Sequence, residues 1–155
     1  MSNNIQQMVR MDRREALKAA GAGVLALGFA STAHATPEAA AEALSKLAGS
    51  AGSMSDKVTI SLPEIAENGA TVPVGISVDS AQTADSYVKH IHVLAEGNPS
   101  PETISFNLTA TGKAEVNTRI RLGKTQNVVV AAVMSDGSVM TAKKEVKVTI
   151  GGCGG

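Results

Sequence analysis

The sequence predicts an all-β protein: an antiparallel sandwich of about seven strands, preceded by a short helix and followed by a glycine-rich tail. Three observations carry that expectation. After Asp56 apolar residues recur at every second position, the period of a strand with one buried face. Clusters of Gly, Asn, Asp and Pro punctuate those runs at short intervals and serve as turn signals. No stretch beyond residue 55 holds a helical period long enough to build a helix of useful length.

The first 35 residues stand apart from this pattern. A charged start, Arg13-Arg14-Glu15-Ala16-Leu17-Lys18, leads into an apolar Ala/Gly/Leu stretch from Ala19 to Ala30 and then Ala33-His34-Ala35. That is the layout of a secretory signal ending in a small-x-small cleavage site. The paired arginines point to the twin-arginine route, although Asp12 and Ala16 depart from its commonest flanks. Cleavage is expected after Ala35, placing the mature protein in a bacterial periplasm. A membrane anchor is the competing reading, but the stretch is shorter than the roughly 20 apolar residues a span needs.

Residues 36–55 read as a helix and a linker. Thr36 can cap, Pro37 suits the first helical position, and Glu38 sits at the positive end of the helix dipole. Leu44 and Leu47 share a face, and Gly49 to Ser55 breaks the pattern, so the helix reads as a separable appendage. Residues 56–150 form the sandwich. Val58, Ile60 and Leu62 alternate with polar residues, as do Val72, Val74, Ile76 and Val78 beyond the Asn68-Gly69 turn signal. Further runs cover Val88 to Ala95, Thr103 to Thr109, Glu115 to Leu122, Val128 to Met134 and Val139 to Ile150. Seven short strands over this length fit an immunoglobulin-like sandwich without the antibody hallmarks of paired Cys and a buried Trp. Such a fold hosts many functions, so the chemistry has to come from a site.

Composition narrows the partners. Beyond residue 35 the chain carries ten basic and twelve acidic residues with no basic run, which argues against nucleic acid or an anionic membrane surface. Aromatic residues make up 2% of the chain, with no Trp, so no platform for stacking bases is available.

The chain ends Gly151-Gly152-Cys153-Gly154-Gly155, and Cys153 is its one cysteine. Glycine has the largest entropy to lose on ordering and no side chain to pack, so Gly151, Gly152, Gly154 and Gly155 are expected to form a flexible, slender arm. Three residues beyond the last strand hold the sulfur roughly 10 Å from the domain. Chain neighbours supply no base, and the terminal carboxylate lies two residues beyond the thiol. Its pKa is therefore expected near or slightly above the reference of about 8.5. A thiol without its own base is a handle for cargo, activated by whichever enzyme receives it, rather than a catalyst. The competing reading is an adhesion or chaperone module that uses Cys153 for an intermolecular disulfide, as an unpaired thiol does in an oxidising compartment.

At these residues the sequence resembles the SoxY family, the carrier subunits of bacterial thiosulfate-oxidising Sox systems. The resemblance rests on the ending Gly151-Gly152-Cys153-Gly154-Gly155, on Leu62-Pro63-Glu64-Ile65-Ala66-Glu67-Asn68-Gly69 with Val72-Pro73-Val74, on Asn98-Pro99-Ser100-Pro101, on Thr118-Arg119-Ile120-Arg121-Leu122, and on Asp136-Gly137. It implies a non-catalytic subunit bound to a SoxZ-like partner. Cys153 would be joined to thiosulfate by a haem enzyme, trimmed by a sulfate-releasing hydrolase and oxidised by a sulfane dehydrogenase.

Other residues carry weaker signals. His90 and His92 share a strand face at a spacing that suits a metal, but no third ligand is near in sequence, so histidines at the surface or an interface are expected. No metal and no cofactor is expected. Asn107-Leu108-Thr109 fits a glycosylation acceptor, which matters little behind a bacterial leader. Glu64 and Glu67 read as solvated turn carboxylates. Arg119 and Arg121 would project from one strand face toward a partner subunit or a bound sulfonate.

Overall fold

The computed structural model describes residues 36–151. Residues 1–35, expected to be a signal segment, and Gly152, Cys153, Gly154 and Gly155 of the expected arm lie outside the described residues. One helix, α1 (Pro37–Ala48), precedes nine strands among the described residues. These are β1 (Ser53–Met54), β2 (Val58–Ser61), β3 (Ile65–Asn68), β4 (Val72–Val78), β5 (Val88–Ala95), β6 (Glu102–Asn107), β7 (Glu115–Ile120), β8 (Gln126–Met134) and β9 (Val139–Ile150).

The strands form an immunoglobulin-type sandwich of two sheets. The larger runs β1-β9-β8-β5-β6, with β3 also pairing β9, and the smaller runs β2-β4-β7. The inner faces supply one core: Val72, Val74 and Ile76 from the small sheet meet Ile91, Val93, Val128, Val130 and Val146 from the large one, all nearly or completely buried. With so few aromatic residues, β-branched side chains fill this space, and they favour the pleated backbone they line.

The seven predicted runs are antiparallel where they pair with one another, as alternation and turn signals predicted. The two further strands are short and lie parallel to β9. Strand β3 occupies a segment that the Asn68-Gly69 signal marks as a turn. The turn is present, with Asn68 Oδ1 accepting from the Ala70 N–H at 2.8 Å, and it follows directly on the strand. Strand β1 falls inside the stretch expected to be a linker.

Helix α1 has the ends its sequence dictates. The Thr36 side chain accepts from the Ala39 N–H at 3.2 Å, and Gly49 closes the helix with φ of 79°, a left-handed cap that favours glycine. It is docked rather than separable. Ala40 and Leu44 are buried, and Leu44 packs with Leu94, Ala131, Val133 and Val139 on the outer face of the large sheet. That coverage explains why β5 is buried at every position from Ile91 to Ala95 and β8 from Val130 to Val133. Among the described residues no helix is long and apolar enough to cross a membrane.

Candidate functional site

Where the chain leaves the sandwich, three segments converge on the end of β9. The Gly69 N–H donates to the Ile150 carbonyl at 2.7 Å, and the Leu122 N–H donates to the Gly69 carbonyl at 2.8 Å. The turn after β3 thereby ties the last residue of β9 to the segment following β7. Asn68 is the register partner of Ile150, and the Lys147 N–H donates to the Glu64 carbonyl at 2.9 Å. Ile150 itself is 63% exposed, so the last strand residue already stands at the surface.

Gly151 then packs against the backbone of Gly123: a Cβ built at this position would collide with the Gly123 carbonyl oxygen. Of the glycines in the predicted arm this one is described, and its lack of a side chain is required by a neighbour rather than only by freedom of motion. Gly123 is itself held. Asn98 Oδ1 accepts from the Gly123 N–H and from Gln126 Nε2, both at 2.9 Å, while Asn98 Nδ2 donates to the Arg121 carbonyl at 2.8 Å. Gln126 Oε1 accepts from the Gly97 N–H at 2.6 Å. Asn98 and Gln126 are both buried, and a buried amide with its partners in place costs little, whereas an unpaired one costs much. The segment against which Gly151 packs is therefore fixed by hydrogen bonds. The predicted attachment residue, Cys153, lies two residues further on, outside the described residues.

The other sequence candidates do not assemble around this segment. His90 and His92 stack, with ring centroids 5.9 Å apart, and each ring is held by β6: His90 Nδ1 at 2.6 Å from Asn107 Oδ1, and His92 Nδ1 at 2.8 Å from Ser105 Oγ. His92 is 8% exposed, and its Nε2 is buried without a partner among the described residues. Burial pushes its pKa down, neighbouring His90 pushes the same way, and Glu102 opposes them. Among the described residues no group of three His, Cys, Asp or Glu stands together as a metal site. The Asn107 side chain is engaged by His90. Glu64 and Glu67 are exposed.

Arg119 is exposed on β7 opposite Pro73 of β4, and Arg121 is exposed just beyond that strand. The fold sets Arg121 and Lys124 on either side of Leu122-Gly123, against which Gly151 packs. Reading only chain neighbours of the thiol missed this, because the contact joins the β7–β8 connection to the chain end. On the outer face of the small sheet, an open groove centres on Gly75 between Ser61 and Asn117. Its lining is hydroxyl, amide and apolar, with no acid, base or thiol.

The geometry can be set beside known proteins. Residues 44–153 match the family described as sulfur oxidation protein SoxY, a match that runs through the end of β9 to the cysteine. No curated protein matches the chain. Among solved structures, the sulfur carrier protein SoxY from Chlorobium limicola f thiosulfatophilum is 37% identical with a TM-score of 0.59, covering 70% of this chain and 94% of that one. A superoxide reductase (neelaredoxin) from Ignicoccus hospitalis is 21% identical with a TM-score of 0.54, covering 74% and 94%. The superoxide reductase from Nanoarchaeum equitans is 11% identical with a TM-score of 0.50, covering 58% and 91%. The two reductases share the sandwich architecture, and their likeness is one of fold alone. The identity shared with the Chlorobium protein and the family match over most of the domain show that the chain belongs to the SoxY family of sulfur oxidation proteins.

Proposed function

We propose that the chain is a non-catalytic sulfur carrier subunit of a periplasmic thiosulfate-oxidising system, with Cys153 as the covalent attachment point. The observation that carries this reading is the end of β9. A strand anchored through Ile150 delivers the chain to the surface at Gly151, and the family match continues to Cys153, two residues on. The glycines that flank the thiol present no side chain that would keep it out of a narrow active site.

The chemistry asks little of the carrier. A partner haem enzyme takes two electrons as the Cys153 thiol loses its proton and bonds to the outer sulfur of thiosulfate, giving a cysteine S-thiosulfonate. A partner hydrolase uses water to release sulfate, leaving one sulfur on the cysteine, and a sulfane dehydrogenase oxidises that remainder. Sulfur bonded to sulfur survives in water yet stays open to attack by a thiolate. A SoxZ-like subunit would complete the carrier as a heterodimer, exported with this chain by the twin-arginine route and processed after Ala35.

The test is Cys153→Ser in a reconstituted system supplied with thiosulfate. Loss of thiosulfate-dependent electron release, with folding and partner binding unchanged, is the expected result. A serine chain that supports full turnover contradicts the reading.

A further inference from the structure

We propose that Asn68-Gly69 is a modification site under a hydrogen-bond lock: the bond from the Gly69 N–H to the Ile150 carbonyl holds off deamidation of Asn68, and an isoaspartyl linkage formed there unties β3 from the end of β9. The inference concerns described residues alone and is independent of the carrier reading.

Three observations combine. First, Asn68 is the one asparagine in the chain that is followed by glycine, and glycine has no side chain to keep its nitrogen from reaching the preceding carboxamide. Deamidation needs only that neighbour and water. The Gly69 nitrogen gives up its proton and attacks Asn68 Cγ, an N–Cγ bond closes a cyclic succinimide, and the Cγ–Nδ2 bond breaks as ammonia leaves with the proton. Water then opens the ring at either carbonyl, giving aspartate or an isoaspartate whose main chain runs through the former side chain.

Second, the fold sets out the electrophile and locks the nucleophile. Asn68 is exposed, so its carboxamide is open to water, whereas Gly69 is buried. Asn68 Oδ1 accepts from the Ala70 N–H at 2.8 Å, which draws electron density from Cγ and favours attack. The Gly69 N–H, however, donates to the Ile150 carbonyl at 2.7 Å, and the Gly69 carbonyl accepts from the Leu122 N–H at 2.8 Å. The nitrogen can neither lose its proton nor turn toward Cγ until this end of β9 opens, and such local openings cost less than global unfolding.

Third, the comparable acidic pair is disarmed. Asp136-Gly137 has no amide to expel, and the Ser138 hydroxyl and N–H donate to Asp136 Oδ1 at 2.6 and 2.8 Å. Those bonds hold the Asp136 carboxyl below its ordinary range, and an ionised carboxylate resists attack. The two products at Asn68 differ in consequence. Aspartate keeps the main chain and an oxygen for the Ala70 N–H. Isoaspartate adds a methylene to the main chain where β3 meets its turn, so Gly69 no longer meets both Ile150 and Leu122.

The test incubates the folded chain beside a peptide of residues 62–74 at mildly alkaline pH. Mass analysis follows the fragment spanning Asn68, and an isoaspartyl methyltransferase marks the isoaspartate. Deamidation in the folded chain is expected to run roughly tenfold or more slower than in the peptide, matching the factor by which the Gly69 amide is protected from hydrogen exchange, because one opening governs both. In the isoaspartyl fraction, separated by chromatography, the Gly69 and Leu122 amides are expected to lose that protection, whereas Asn68→Asp keeps it. Deamidation at the peptide's rate, or a slowing that does not match the Gly69 protection, overturns the lock. An isoaspartyl chain that keeps both amides protected overturns the release. None of these readouts involves Cys153, so carriage is tested apart from them.

Discussion

Asn98 and His92 show how the same burial gives opposite consequences. The Asn98 amide satisfies three backbone or side-chain groups and fixes the loop under Gly151, whereas His92 is buried with one ring nitrogen unpartnered. Burial, with His90 adding to it and Glu102 opposing, holds the His92 pKa below its ordinary value of 6.5. The folded protein therefore binds this proton less readily than the unfolded chain. Stability from the neutral ring is fully present above the unfolded value and is lost as pH falls from about 6.5 toward the lower folded value. Urea unfolding followed between neutral and mildly acidic pH should show stability decreasing on acidification, and His92→Gln should flatten that slope. An unchanged slope in the variant would assign the acid sensitivity elsewhere. At this scale the sequence singles out Cys153 because four glycines isolate it, and that expectation falls outside the described residues. The proximity of Arg121 and Lys124 to the arm root was not legible, because no local pattern records a contact between the β7–β8 connection and the chain end.

Among the elements, α1 could be read at both ends from Thr36, Pro37 and Gly49, since caps are local chemistry. Its docking could not be read from its own residues. The signal lay in its partners: the unbroken apolar run Val128 to Val133 and the loss of alternation after Ile91 are what a sheet covered on both faces produces. Leu44 carries that docking, and Leu44→Ala should cost about 2–5 kcal/mol, as truncation of a buried leucine does, measured as a lower urea midpoint at constant m-value. A loss near zero would mean that the helix is dispensable to the domain. Strands β1 and β3 stayed hidden for a different reason: β1 has two residues, β3 (Ile65-Ala66-Glu67-Asn68) carries no apolar alternation, and both pair with β9, which is distant in sequence. Their effect reaches the site, because β3 and its turn hold Ile150.

At the scale of the whole described domain, the molecule is a two-sheet sandwich whose last strand is paired on both sides before the chain departs. Strand β9 pairs with β8 along most of its length, with β1 near its start and with β3 near its end, so the chain leaves β9 from a hydrogen-bonded origin. In the proposed carrier role, a scaffold of this kind would hold the origin of the chain end steady while Cys153 visits other proteins' active sites. The direct measurement is intact and C-terminal-peptide mass of the mature protein taken from cells growing on thiosulfate. The carrier account predicts a species lacking residues 1–35 that bears sulfur or thiosulfonate additions on Cys153, removable by a reductant and absent from Cys153→Ser. A population holding only bare monomer and Cys153-linked dimer would contradict it.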